Sequence, residues 1–164
     1  MSAKTECLFA AEGTEEGKPV ANYGRFGCDS NEELLEKMLK LLEEENPDVI
    51  LVPGDIAGHD MARRLDETGP AYDYKYEEML KTLTFVGKSI QKHFPNALIL
   101  PTIGNNDTEF HYQSPNFGGN KENYYDTFFN SWFTEHKANK NLTNFNEIEQ
   151  SFKKGGYYIA HVSD

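Results

Sequence analysis

Val49-Ile50-Leu51-Val52-Pro53-Gly54-Asp55-Ile56-Ala57-Gly58-His59-Asp60 is the stretch from which the rest of the chain is read. A short β-branched and leucine run, bounded by Asn46-Pro47 before it and Pro53-Gly54 after it, predicts a fully buried strand. Asp55 then falls at the C-terminal edge of that strand, where open α/β sheets place their ligands. Gly54 has no side chain, so a metal or phosphate can approach the backbone there.

The same grammar returns downstream. Ala97 to Leu100 is apolar, Pro101-Thr102-Ile103 extends it, and Gly104-Asn105-Asn106-Asp107 closes it. A helical pattern lies between the two stretches. A right-handed crossover makes the two strands parallel and brings both polar loops to one edge. Asp55 and Asn105 are then hard or neutral oxygen donors at adjacent strand ends. Two metal ions roughly 3.5–4 Å apart can share one carboxylate, clamp a phosphoryl group and activate water.

The flanking segments fit this frame. Residues 1–22 are polar and without period, and Tyr23 to Asp29 is a glycine- and aromatic-dense loop. Ser30 with Glu33 matches a capping box. Leu34, Leu35, Met38, Leu39, Leu41 and Leu42 give a core-facing helical stripe up to about Glu45. Tyr72, Tyr76, Met79, Leu80, Leu83, Val86 and Ile90 predict a helix from Tyr72 to His93, weakened at Gly87 by about 1 kcal/mol relative to Ala. Residues 108–120 form a candidate binding loop. Tyr124, Tyr125, Phe128, Phe129, Trp132 and Phe133 make an aromatic helical stripe, read as core. Residues 137–154 are polar and Asn/Lys-rich, and Gly155-Gly156 opens a last strand over Tyr157 to Val162.

Composition bounds the function. The chain has 164 residues, one domain by size, and a net charge of −11. That charge argues against a nucleic-acid groove, which needs clustered Lys and Arg. It also argues against a polyanionic substrate unless metal cations supply positive charge. No apolar run approaches the roughly 18 residues of a membrane span, and the first residues show no signal peptide. Cys7 and Cys28 suit either a disulfide or two free thiols. Asn141-Leu142-Thr143 is a glycosylation sequon, relevant in a secreted chain. Asn106-Asp107-Thr108 is another, discounted because a sugar there would block the site.

Gly54 to Asp60 followed by Gly104-Asn105-Asn106-Asp107, each after an apolar strand, resembles two successive metal motifs of the calcineurin-like metallophosphoesterases. Within them the chain looks like the acid sphingomyelinase-like phosphodiesterases. Tyr23 to Ser30, Trp132 and Gly155-Gly156-Tyr157-Tyr158 resemble further segments of that group, so the likeness runs over about residues 20–164. It implies an α/β fold, a βαβαβ portion of the metallophosphoesterase layered sandwich with parallel strands. It implies that Asp55 bridges two divalent ions, zinc in that group, and that Asn105 ligates one of them. It places His59 near the leaving group as proton donor or phosphate contact. The substrate would be a phosphodiester: a sphingomyelin-like lipid, polyphosphate or a nucleotide. A secreted, lysosomal or vacuolar setting follows from the resemblance, and suits a Cys7–Cys28 disulfide and a glycan on Asn141.

Two departures stand out. Asn106 occupies the place where most members carry a catalytic histidine, and Asn cannot donate a proton as an imidazolium does. The Gly-Asn-Asn-Asp form is similar to that of vacuolar endopolyphosphatases, which carry a histidine a few residues on; His111 would fill that place. The family's first Asp-x-His motif and its late histidines have no counterpart here, and about four ligands per metal are needed. The expectation is a middle part of a larger catalytic domain that alone binds metal weakly. A non-catalytic relative on a decayed scaffold is the reading of a different class. His93, His136 and His161 match no motif and are expected to be structural or exposed.

Overall fold

The computed structural model describes Tyr23, residues 29–59 and residues 61–162. Cys7, Cys28 and Asp60 lie outside the described residues. The chain divides into two compact units, Met1–Glu45 and Asn46–Asp164.

In the first unit, α1 spans Glu32–Leu42 and runs into a 3-10 turn, Glu43–Glu45. Its cap is Asn31 rather than Ser30: the Asn31 side chain accepts a hydrogen bond from Leu34 N at 3.0 Å. Glu32 and Glu33 in the first turn and Lys40 in the last complement the helix dipole. Leu39 is buried, whereas Leu34, Met38, Leu41 and Leu42 are exposed, so the expected core stripe is only partly realised.

The second unit holds β1 (Val49–Val52), α2 (Asp73–His93), β2 (Leu98–Pro101), α3 (Lys121–Phe129) and α4 (Phe145–Gly155). The two strands are parallel, with Val49 opposite Leu98 and Val52 opposite Pro101, and α2 crosses between them. The α/β reading therefore holds. The expectation of a fully buried first strand does not. Leu51 is 73% exposed, while Ile99 is 0% exposed. Val49 and Leu51 share one face of the sheet, and the packed face is the one carrying Ile99.

That packed face meets an aromatic core. Phe128 stacks on Trp132 with ring centroids 5.6 Å apart, and Phe129 stacks on Phe133 at 4.9 Å. Phe152 from α4 packs among Tyr125, Phe128, Phe129 and Phe133. A π-helical turn, Asn130–Thr134, follows α3 and brings Ser131, Trp132 and Phe133 inside. Gly87 explains its own helix penalty: a methyl there would sit 2.9 Å from the Trp132 indole. Glycine lets the ring lie against α2.

The polar 137–154 stretch hides α4, whose apolar positions Ile148 and Phe152 are both buried. Gly155 ends that helix and Gly156 caps it with φ 74°, its N–H bonding Phe152 O at 2.7 Å. Residues 157–162 consequently do not form the expected strand. The outer edge of β2 is already taken by side chains. Asn139 donates to Ile99 O at 2.7 Å and accepts from Ile99 N at 2.9 Å. His136 Nε2 meets Ala97 O at 2.7 Å, and Tyr158 donates to Pro101 O at 2.8 Å. Pro101 has no N–H, so a strand would find little left to pair with.

Candidate functional site

Both strands end in turns that lean on each other. Gly54 has φ 91° and Asp55 φ 54°, two consecutive residues in the left-handed region that turn the chain sharply off β1. Asp tolerates that region better than most residues, and such strain clusters at functional sites. Thr102 N donates to Val52 O at 2.8 Å and carries the pairing to the rim. Past that point the backbones nearly touch. A methyl on Gly104 would collide with Asp55 N and Oδ1, and one on Gly54 would collide with Gly104. Glycine is required at both places by close approach.

Asp55 Oδ1 accepts a hydrogen bond from Asn106 N at 3.1 Å. The carboxylate is therefore beside the Asn105–Asn106 turn, and both Asp55 and Asn105 are exposed. Asn105 donates from Nδ2 to Asn106 Oδ1 at 3.3 Å, a contact that engages an N–H and does not use its side-chain oxygen. Asn106 is 5% exposed, so its amide is a structural piece of the turn. His59 is exposed in the turn ending the first loop.

Asp107 organises the whole arrangement, a role that sequence reading did not assign it. It is 0% exposed. Its Oδ1 accepts from Ile56 N at 2.7 Å and Ala57 N at 2.8 Å, and its Oδ2 from Gly104 N at 2.9 Å. A concavity of main-chain amides of this kind is an anion-binding device; here the chain's own carboxylate fills it. Burial pushes the Asp107 carboxyl above the usual range, and the amide bonds from Ala57, Gly104 and Ile56 offset part of that. The signal in the sequence was its place closing Gly-Asn-Asn-Asp. Its partners across the rim were invisible without the fold.

His111 is half-buried, with its Nε2 enclosed and lacking a hydrogen-bond partner among the described residues. Its ring lies on Tyr112, centroids 4.2 Å apart. Tyr112 has φ 60°, unusual for a bulky residue, and its N–H donates to Asn105 O at 3.3 Å. His111 is thereby held next to the Asn105 turn. His136, by contrast, is a core residue bonded to Ala97 O.

Asp55 and Asn105 bring a carboxylate and a side-chain amide to one rim, donor types that hard divalent cations take, on backbone held by glycines and Asp107. Among the described residues no group of three or more His, Cys, Asp or Glu is placed to hold a metal ion. These residues fit a metal as partial donors and do not close a site by themselves.

The calcineurin-like phosphoesterase family model matches residues 24–163. The chain belongs to that family. It is 32% identical over 143 residues to sphingomyelinase phosphodiesterase D of Dictyostelium discoideum, covering 86% of this chain and 27% of that protein. It is 27% identical over 147 residues to sphingomyelinase phosphodiesterase C of the same organism, covering 88% and 28%. The chain thus spans about a quarter of the length of these curated relatives. The Gly54–Asp55 and Gly104–Asn105 turns both fall within the residues the family model matches.

Asn141 is exposed at the end of a 3-10 turn, Asn139–Asn141. In the second sequon Asn106 and Thr108 are both buried, at 5% and 3% exposure. No helix among the described residues is long and apolar enough to cross a membrane.

Proposed function

We propose that the chain is part of a metal-dependent phosphodiester hydrolase of the acid sphingomyelinase-like kind, and that residues 1–164 belong to one catalytic domain. The observation that carries this is the 3.1 Å hydrogen bond from Asn106 N to Asp55 Oδ1, which supports reading the two turns as one site. Likeness to two Dictyostelium sphingomyelinase phosphodiesterases supports the lipid diester as substrate.

Asp55 and Asn105 would hold the divalent ions, zinc by family resemblance, together with ligands from elsewhere in the protein. Bound there, the ions would neutralise the phosphate and raise the acidity of water. This chain's residues do the remaining work. Asp107 fixes the turns so that Asp55 and Asn105 need no rearrangement when a ligand arrives. His59 contacts the phosphate or hands a proton to the leaving oxygen. His111 supplies the imidazole that Asn106 lacks. A secreted, lysosomal or vacuolar compartment, with Cys7–Cys28 joined and Asn141 glycosylated, is part of this reading.

Endopolyphosphatase activity is the second reading. It is favoured by Asn106 with His111 a few residues on, and opposed by the net charge of −11, which repels a long polyanion.

The full-length gene product should be assayed on sphingomyelin, a nitrophenyl phosphodiester and polyphosphate, with zinc and with chelator. Asp55→Asn and Asn105→Ala should each lower kcat/KM about 100-fold or more, as loss of charge-stabilising groups does. Diester hydrolysis that ignores chelator, or survives Asp55→Asn intact, refutes the proposal. Preference for polyphosphate establishes the second reading.

A further inference from the structure

The two motif loops are joined a second time beyond the site. Arg63 N donates to Glu109 O at 2.7 Å and His111 N donates to Arg63 O at 2.8 Å, a parallel bridge of Arg63 with Phe110. The two chain segments are therefore joined at Val52 with Thr102, beside the sheet, and again at Arg63 with Phe110.

The Arg63 side chain reinforces the bridge. Its guanidinium is buried, 5.8 Å from the centre of the Phe110 ring. Its NH2 group donates to Asp73 Oδ1 at 2.6 Å, in the first turn of α2. Its NH1 group lies 3.6 Å from Glu109 Oε1. Glu109 is 5% exposed and accepts from Asn120 Nδ2 at 2.9 Å, the residue that precedes α3. One fork thus reaches the start of α2 directly and the start of α3 through Glu109.

Stability is a poor account of this arrangement. Arg63 Nε is buried with no partner among the described residues, and apolar replacements of buried ion pairs are often as stable or more so. Directionality is the better account. A planar fork that must meet two carboxylates on different segments admits one alignment of them, which a lysine's single ammonium cannot impose. We propose that Arg63 and Glu109 are positioning residues whose buried pair sets the alignment of the two motif loops, keeping the Asn106 amide on Asp55 and His111 beside the Asn105 turn. The reaction served rests on the phosphodiesterase reading; the alignment is a property of the chain.

The test uses the full-length gene product with Arg63→Lys, Arg63→Met and Glu109→Gln. Amide hydrogen exchange is followed in peptides covering 54–57 and 104–112, with 124–133 as the core reference. The expected result is exchange about tenfold faster or more in the loop peptides, with the core peptide within about twofold of wild type. On a nitrophenyl phosphodiester kcat should fall about tenfold or more with KM little changed, since misalignment acts on the reacting geometry. Glu109→Gln keeps the neighbouring packing and decides the matter if either Arg63 variant fails to fold. Loop exchange at the wild-type rate, or rising only in step with the core, overturns the proposal. So does faster loop exchange with wild-type kcat, which would leave the pair a structural role alone. If the wild-type protein cleaves no diester, the phosphodiesterase reading falls while the exchange data still decide the alignment.

Discussion

Asp107 offers the sharpest test of how the rim is built. Its two oxygens accept three amide hydrogens from both loops, at 2.7, 2.8 and 2.9 Å, in a fully buried position. In Asp107→Asn the best orientation keeps Ile56 and Ala57 on the oxygen and sets an NH2 group against Gly104 N–H. One acceptor is lost and one buried amide is orphaned, which costs about 1–3 kcal/mol. Asp107→Ala orphans all three, at about 1–3 kcal/mol each before the loops relax and the buried carboxylate's own desolvation is recovered. A net loss of about 4–5 kcal/mol is expected, a large share of the roughly 5–15 kcal/mol a domain has. Urea unfolding with linear extrapolation measures both variants. The pH dependence has a sign. Burial raises the native carboxyl above its ordinary 3.8. Its contribution to stability is therefore full below that value and declines as pH rises through the native pKa. The gap between wild type and Asp107→Asn should accordingly be widest in acid and narrow toward neutral pH. An alanine variant within about 1 kcal/mol of wild type, or no worse than the asparagine variant, would refute the three-amide account.

Three further outcomes follow from the packing. Gly104→Ala should cost about 3 kcal/mol, since its methyl would strike Asp55, while Gly69→Ala, with φ 91° and open space, should cost only about 1 kcal/mol; equal losses in urea titrations would contradict the close-approach argument. Asn139→Ala should destabilise by about 3 kcal/mol or more, because its buried amide serves Ile99 N, Ile99 O and Trp132 O; a loss under about 1 kcal/mol would count against side-chain sealing of the β2 edge. Burial, with the Glu109 charge adding, pushes the Tyr76 phenol to about 12. Stability from that group is intact below pH 10 and drains as pH rises toward 12, so phenolate absorbance and loss of circular dichroism should rise together above pH 10 and separate less steeply in Tyr76→Phe.

The sequence alone determined the repeating part of this protein. Val49 to Gly54 and Ala97 to Gly104 read as strand-then-turn units because apolar runs and Gly/Pro punctuation are local signals. The long helix over Asp73–His93 was legible for the same reason, as its apolar spacing is periodic. Asp55 and Asn105 were picked out by type and place, and the fold set them at one rim. What tertiary structure decided was where backbone polar groups find partners. Tyr157 to Val162 has the composition of a strand, yet Asn139, His136 and Tyr158 already satisfy the edge of β2. The helix Phe145–Gly155 was hidden because two buried apolar residues, Ile148 and Phe152, carry it within a polar stretch. Asp107 and Arg63 act through partners far away in sequence, and no local pattern encodes a contact made across a loop. Periodicity reports which face a residue shows; only the folded chain reports what that face meets.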